Sequence, residues 1–142
     1  MLYDTAVSLY DKFRLLHYRK LFGNIREKDG SLSATEAFAV DVISLLGTPT
    51  IKQFADTIGI SQPNATYKIN NLIAKGYIEK LPAGEDRRES RVRVCNRYFL
   101  YAGSREDDFI AEATARMERE CTPEELALFE KLLARLNDSV PV

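Results

Sequence analysis

The chain has 142 residues, of which 45% are hydrophobic and 29% are charged, and its formal net charge is −1. This length and composition suit one globular domain, so residues 1–142 are predicted to form a single domain. No apolar run is long enough to span a membrane and no signal-peptide pattern begins the chain, which favours a cytoplasmic protein without a membrane partner.

The first predicted element is a long helix from about Asp4 to Phe22. Its apolar stripe is broader than one core-facing side requires, so part of the stripe is expected to contact a second molecule. The stripe consists of Val7, Leu9, Tyr10, Phe13, Leu16, His17 and Leu21.

Three N-cap signals predict three further helices between residues 33 and 76. Capping boxes begin at Ser33 and at Thr50, because each is followed three residues later by Glu or Gln. Ser61 supplies the third N-cap. The glycines that follow each helix, Gly47, Gly59 and Gly76, mark the ends. The apolar residues at helical spacing are Phe38, Val42, Ile43, Leu45 and Leu46 in the first, Ile51, Phe54, Ala55 and Ile58 in the second, and Ala65, Ile69, Leu72 and Ile73 in the third.

The last two of these helices are joined by a short turn, which is the helix-turn-helix arrangement. Opposite its apolar stripe, the second helix carries amide, hydroxyl, phenol and ammonium groups that can bond bases or phosphates. The predicted DNA contacts here are Ser61, Gln62, Pro63, Asn64, Thr66, Tyr67, Lys68 and Asn71. For any one amide the pattern leaves base contact, phosphate contact and solvation open.

Two alternating runs follow, Tyr77–Leu81 and Ser90–Cys95, and they are predicted to pair as a β-hairpin. The connecting segment Pro82–Glu89 is polar and rich in arginine, which is typical of a wing whose arginine enters a narrow minor groove. Arg91 lies on the second strand, where it either contacts phosphate or lines the outer face. We include it among the predicted DNA contacts.

The charge is unevenly distributed along the chain. Residues 61–97 contain eight basic and four acidic residues, a net charge of +4, whereas residues 98–142 contain five basic and ten acidic residues, a net charge of −5. Residues 1–60 are balanced. The positive segment is the one that contains the predicted helix-turn-helix and wing, which supports nucleic-acid binding despite the negative total.

Two amphipathic helices are predicted in the C-terminal part of the chain. One follows Ser104, and the other begins at Thr122, with Pro123 in the first helical position and Glu125 completing a capping box. Their apolar residues are Phe109, Ile110, Ala113 and Met117 in the first, and Leu126, Phe129, Leu132, Leu133 and Leu136 in the second. With the N-terminal stripe, this is more apolar surface than one domain covers, which predicts a homodimer.

In these features the chain resembles the MarR family of bacterial winged-helix transcriptional regulators. Asn71–Lys80 looks like the family's segment that leads into the wing, and Asp86-Arg87-Arg88 matches its Asp-x-Arg signature. The resemblance implies that Arg88 is the minor-groove residue and that Asp86 supports it. Asp86, Arg87 and Arg88 complete the set of predicted DNA contacts.

The resemblance also implies how the chain is divided into dimerisation and DNA-binding regions, and it implies an effector. Residues 1–30 and 98–142 would be the dimerisation helices, and residues 31–97 the winged-helix lobe that binds DNA. A ligand cavity is implied between them, which suits a small apolar or aromatic effector. Its predicted lining is Tyr10, Phe13, His17, Phe38 and Tyr98.

The predicted fold is therefore mostly α-helical with a small β-hairpin wing, a winged helix-turn-helix with dimerisation helices at both ends. The predicted function is sequence-specific binding of a pseudo-palindromic operator by a homodimeric regulator, a repressor rather than an activator. The alternative is a winged-helix adaptor that binds protein without specific DNA binding, since a fold alone does not fix a function.

An enzyme is disfavoured by the sequence. It has no glycine-rich phosphate loop, nucleophile elbow or paired-carboxylate motif, and its single histidine offers little acid-base chemistry. Cys95 and Cys121 are far apart and lack metal-ligand spacing, so neither a disulfide framework nor a metal site is predicted. We expect no catalytic residues and no cofactor.

Overall fold

The computed structural model describes residues 1–24, 32–82, 90–95 and 108–142. These ranges contain helices α1 (Leu2–Asn24), α2 (Ala34–Leu46), α3 (Ile51–Ile58), α4 (Gln62–Ala74), α5 (Phe109–Glu120) and α6 (Pro123–Ser139), and strands β1 (Ile78–Lys80) and β2 (Val92–Val94). The predicted fold class is confirmed. Both strands are shorter than their alternating sequence runs, and Ser104, proposed as the start of a helix, lies outside the described residues. Asp108 is the N-cap of α5.

Helices α2, α3, α4 and α6 begin where the capping signals predict. Thr50 Oγ1 accepts a hydrogen bond from the Gln53 N–H at 3.0 Å, while the Thr50 N–H donates to Gln53 Oε1 at 2.9 Å. The same reciprocal pair is present at the start of α2 and of α6. Gly59 ends α3 with φ of 72°, in the left-handed region that favours glycine, and this conformation reverses the chain into α4.

One hydrophobic core joins α2, α3, α4 and the hairpin. Its largest fully buried side chains are Tyr77, Phe54, Leu32, Ile43, Ile69, Leu72, Ile78, Val40 and Val92. On α2 the packed face consists of the smaller residues Ala37, Val40 and Ile43, whereas Phe38, Leu45 and Leu46 are exposed. The apolar pattern of α2 therefore serves two surfaces, of which only one is filled within the chain.

The hairpin is fixed to the segment that precedes α3. β1 and β2 are antiparallel, with Glu79 opposite Arg93. Beyond the hairpin, the Val92 N–H donates to the carbonyl of Pro49 at 3.1 Å, and the Ile51 N–H donates to the carbonyl of Ser90 at 3.3 Å. Because these bonds join β2 to the start of α3, the base of the predicted wing and the helix-turn-helix form one hydrogen-bonded unit.

The chain divides into two compact units, Met1–Gly103 and Ser104–Val142. In the second unit, α5 and α6 pack against each other, yet neither helix has a buried residue. In the first unit, α1 contributes Leu21 to the core and leaves most of its apolar stripe exposed. Within the described ranges, no helix is both long and apolar enough to cross a membrane.

Candidate nucleic-acid interface

The predicted DNA-reading helix is α4, and its core face holds it firmly in place. Ala65, Ile69 and Leu72 are completely buried against the neighbouring elements. On the outside, Asn64, Tyr67 and Asn71 have the three- and four-residue spacing that places side chains on one helix face. Tyr67 is 67% exposed, which is unusual for an aromatic side chain on a helix this well packed. The face offers amide and phenol groups at fixed positions.

The other residues of α4 that are predicted to contact DNA differ in their exposure and in the hydrogen bonds that they already make within the helix. Gln62 and Pro63 are exposed, and Lys68 is partly exposed. The hydroxyl of Ser61 accepts from the Asn64 N–H at 3.3 Å as the N-cap, and the hydroxyl of Thr66 donates to the Gln62 carbonyl at 3.0 Å. These two hydroxyls therefore already have structural roles within α4, and their contacts with DNA stay predictions.

Several cations of the positive segment are engaged within the protein. Arg93 forms an ion pair with Glu79 across the hairpin, and the Arg91 guanidinium donates from Nη1 to the carbonyl of Thr48 at 3.0 Å. Sequence reasoning missed the second contact, which gives Arg91 a structural role beside its predicted phosphate contact. Asp86, Arg87 and Arg88 lie outside the described residues, so the assignment of the wing tip stays a prediction.

Lys75, at the C-cap of α4, is also paired. Its Nζ lies 2.8 Å from Glu36 Oε1, and the same oxygen accepts a hydrogen bond from the Ser33 N–H at 3.0 Å. Burial by itself raises the pKa of Glu36, but the hydrogen bonds from Lys75 and Ser33 outweigh it and hold the pKa below its ordinary value. The ionised carboxylate of Glu36 thus joins the first turn of α2 to the last turn of α4.

The lowered pKa of Glu36 predicts an acid-dependent loss of stability. Its contribution to the free energy of unfolding is present above the ordinary carboxyl pKa of 4.5 and is lost as the pH falls through the lowered folded value. Glu36→Gln should therefore be less stable than the parent at pH 7, and the difference should disappear in strong acid. Urea unfolding at both pH values measures it. Glu125→Gln, in the capping box of α6, is the control, and an equal pH-dependent effect there would contradict the assignment.

A cavity of about 230 Å³ lies between the start of α2 and the flank of α4. It is lined by Ser33, Thr35, Glu36, Ala39, Tyr67, Lys68, Asn71 and Leu72. The lining combines polar side chains with the apolar Ala39 and Leu72, and it includes none of the residues predicted for the effector cavity. Three predicted DNA contacts, Tyr67, Lys68 and Asn71, border this cavity.

The predicted effector residues lie on α1 and α2, apart from Tyr98, which is outside the described residues. His17 Nε2 is 3.0 Å from Asp41 Oδ2, so the His17 face of α1 meets the Asp41 face of α2. Phe13 precedes His17 by one turn and Phe38 precedes Asp41 by one turn, which places both rings on these adjoining faces. Both rings are partly exposed. The Tyr10 ring stacks under the Arg14 guanidinium, 5.3 Å from its centroid.

Cys95, which follows β2, is partly buried. Burial and the nearby carboxylate of Glu79 raise the pKa of the Cys95 thiol, although Arg93 opposes them. A protonated thiol is a poor nucleophile, so Cys95 is unsuited to redox sensing at neutral pH. Within the part of the chain that the structure describes, no cluster of His, Cys, Asp and Glu could hold a metal ion.

Comparison with known proteins agrees with this arrangement of elements. The model of the MarR family matches residues 31–89, which run from the start of α2 into the predicted wing. Over these residues the chain is similar to the MarR family. Members of this family are transcription regulators and not enzymes. None of the curated proteins matches the sequence significantly.

Solved structures with a similar fold include two complexes with DNA. FabT from Streptococcus pneumoniae in complex with DNA has a TM-score of 0.55 and 23% identity, covering 96% of this chain and 93% of its own. A cysteine-to-serine mutant of MarR from E. coli complexed with operator DNA has a TM-score of 0.50 and 17% identity, covering 96% and 98%. At these identities the likeness shows the fold. This chain therefore shares the winged-helix fold of these structures.

Proposed function

We propose that this chain is a member of the MarR family and a cytoplasmic, homodimeric transcriptional repressor that binds a pseudo-palindromic operator. The observation that carries the proposal is the outer face of α4, where exposed amide and phenol groups are held by a fully buried apolar layer. Rigid donors and acceptors on a helix are what base recognition in the major groove requires. Residues 31–97 are the proposed DNA-binding lobe of a single 142-residue functional domain.

The proposed dimer rests on apolar side chains that the chain itself leaves uncovered. In α6 they are Leu128, Phe129, Leu132, Leu133 and Leu136, each at least 44% exposed. In α1 the exposed apolar side chains include Leu9, Tyr10 and Phe13. Soluble monomers rarely expose so much contiguous apolar surface, and two-fold association would bury the same residues on both partners. Residues 1–30 and 98–142 are the proposed dimerisation regions.

Selection of binding sites from a pool of random duplexes tests the proposal. Two α4 helices related by two-fold symmetry should select half-sites whose centres are about 10 to 10.5 bp apart. The affinity for the selected site should fall steeply with salt concentration, because each phosphate contact releases counterions. Weak binding without sequence preference and without salt dependence would favour the protein-binding adaptor instead. A footprint over one half-site would contradict the dimer.

The proposed effector is a small apolar or aromatic acid that binds near Phe13, His17 and Phe38. Support comes from the partly exposed rings on adjoining faces of α1 and α2 and from the His17–Asp41 contact that joins these helices. A ligand that prefers one of two dimer shapes would change the affinity for DNA by its differential binding free energy.

A panel of small aromatic acids should lower operator affinity and raise the melting temperature of the protein. Phe38→Ala should weaken both responses, because it removes a ring from the proposed site. Phe22→Ala removes an exposed ring elsewhere on α1 and should leave both responses intact. Fluorescence anisotropy on the operator and thermal unfolding provide the measurements. Equal responses in the two variants would place the ligand elsewhere.

A further inference from the structure

The ion pair between Glu36 and Lys75 joins the first turn of α2 to the end of the proposed recognition helix. Lys75 is the C-cap residue of α4, and Gly76 follows with φ of 80° as the chain turns towards β1. Glu36 is the third residue of α2 and also completes its capping box. One carboxylate therefore fixes the start of one helix and the end of another.

The flank of α4 beside this pair is incompletely packed. The 230 Å³ cavity separates the first turns of α2 from Tyr67, Lys68 and Asn71. Close packing of side chains is what normally fixes the angle between two helices. On this flank, Ala39 and Leu72 border the cavity together with polar side chains. Beside this cavity, the ion pair between Glu36 and Lys75 is a polar contact that joins α2 to the end of α4.

A small change in that angle has a large effect at the other end of the helix. α4 has 13 residues, so a tilt of about 10° at Lys75 would displace its N-terminal end by roughly 3 Å. Hydrogen bonds to base edges tolerate only a few tenths of an ångström. Asn64, near the N-terminal end, would lose its contacts first.

We propose that Glu36 and Lys75 are positioning residues for DNA recognition, and that their ion pair sets the angle of α4. The inference rests on the proposed function and deepens it. Lys75 counts towards the positive charge of residues 61–97, yet its ammonium acts through Glu36 and not through a phosphate. Glu36 thereby becomes a determinant of operator affinity although it lies on α2, outside the predicted DNA-contacting residues.

The test compares variants of the full-length protein on its selected operator, well below the melting temperature of each variant. Glu36→Gln keeps the capping box, because glutamine serves equally at that position, and removes the charge that pairs with Lys75. We expect Glu36→Gln and Lys75→Met each to weaken operator binding by about 3- to 10-fold. The double variant should bind no more weakly than either single variant, and Lys75→Arg should retain the parent affinity.

Two controls separate positioning from other roles. Glu125→Gln makes the same change in the capping box of α6 and should leave operator affinity unchanged. The salt dependence of binding should stay the same in Lys75→Met, whereas loss of a phosphate contact would reduce its logarithmic slope by about 1. A purely structural role would lower the melting temperature without changing the affinity of the folded protein.

Each result decides between defined alternatives. Parent-like affinity in Glu36→Gln, additive losses in the double variant, or a reduced salt slope in Lys75→Met would overturn the positioning role and leave the proposed function standing. A parent protein that selects no operator at all would overturn the proposed function, and the positioning role with it.

Discussion

Replacing Leu133 with glutamate is expected to dissociate the proposed dimer and to abolish specific operator binding. Leu133 is 45% exposed in the chain and lies on the apolar stripe of α6 with Phe129 and Leu136. In a two-fold interface the substitution would bury two unpaired carboxylates, one from each partner. Because an unpaired buried charge costs several kcal/mol, the dissociation constant of the dimer should rise by about 100-fold or more.

Ala127→Glu is the matched control for this substitution. Ala127 is exposed on the other side of α6, so the same glutamate there should leave the dimer intact. Light scattering or sedimentation over a range of concentrations measures the dissociation constant, and the selected operator reports DNA binding. A parent chain that is monomeric at micromolar concentration, or a Leu133→Glu variant that stays dimeric, would refute the proposed architecture.

Removing the polar groups of α4 is expected to abolish discrimination between operator and random DNA. Asn64 and Lys68 lie outside the buried layer of α4. The side chain of Asn64 is exposed and that of Lys68 is partly exposed. Each true base contact contributes about 1–3 kcal/mol of discrimination, so the Asn64→Ala and Lys68→Ala variants should each lose roughly 10- to 100-fold in specificity. The apolar core face of α4 is unchanged, so both variants should fold.

The control for Lys68→Ala is a variant that removes a lysine charge from another part of the protein. Lys131→Ala removes an exposed lysine from the polar side of α6 and should retain the discrimination of the parent. Competition between operator and scrambled duplexes at fixed salt concentration gives the specificity ratio. If Lys68→Ala weakens binding equally at all sequences, then Lys68 contacts phosphate and not a base. If neither α4 variant differs from Lys131→Ala, the outer face of α4 is not the recognition surface.

The proposed positioning pair changes which cations are expected to meet DNA. Lys75 and Arg93 are paired with carboxylates, and Arg91 donates to a backbone carbonyl. Of the cations in residues 61–97 that the structure describes, Lys68 and Lys80 have no such protein partner. Specific recognition by this chain is therefore expected to rely on the polar face of α4 more than on the total charge of the segment.

The sequence by itself determined the starts of α2, α3, α4 and α6 and the order of the elements. The capping boxes of α2, α3 and α6 join residues three positions apart, and the left-handed Gly59 follows α3 directly. Such interactions are local, so residue spacing is enough to predict them. The apolar periodicity of α4 likewise identified its buried face, because a helix repeats its faces regardless of what packs against them.

Only the tertiary structure decided which polar groups are already occupied. Lys75 meets Glu36 across 39 positions of sequence, and Arg91 meets the carbonyl of Thr48 across 43. The tertiary structure also decided that α2 packs through Ala37 and Val40, leaving Phe38 exposed. These outcomes depend on how the helices lie against one another, and long-range contacts of this kind leave no periodic signal in the sequence. The charge pattern could therefore locate the candidate interface but could not separate the cations that face DNA from those that hold the fold.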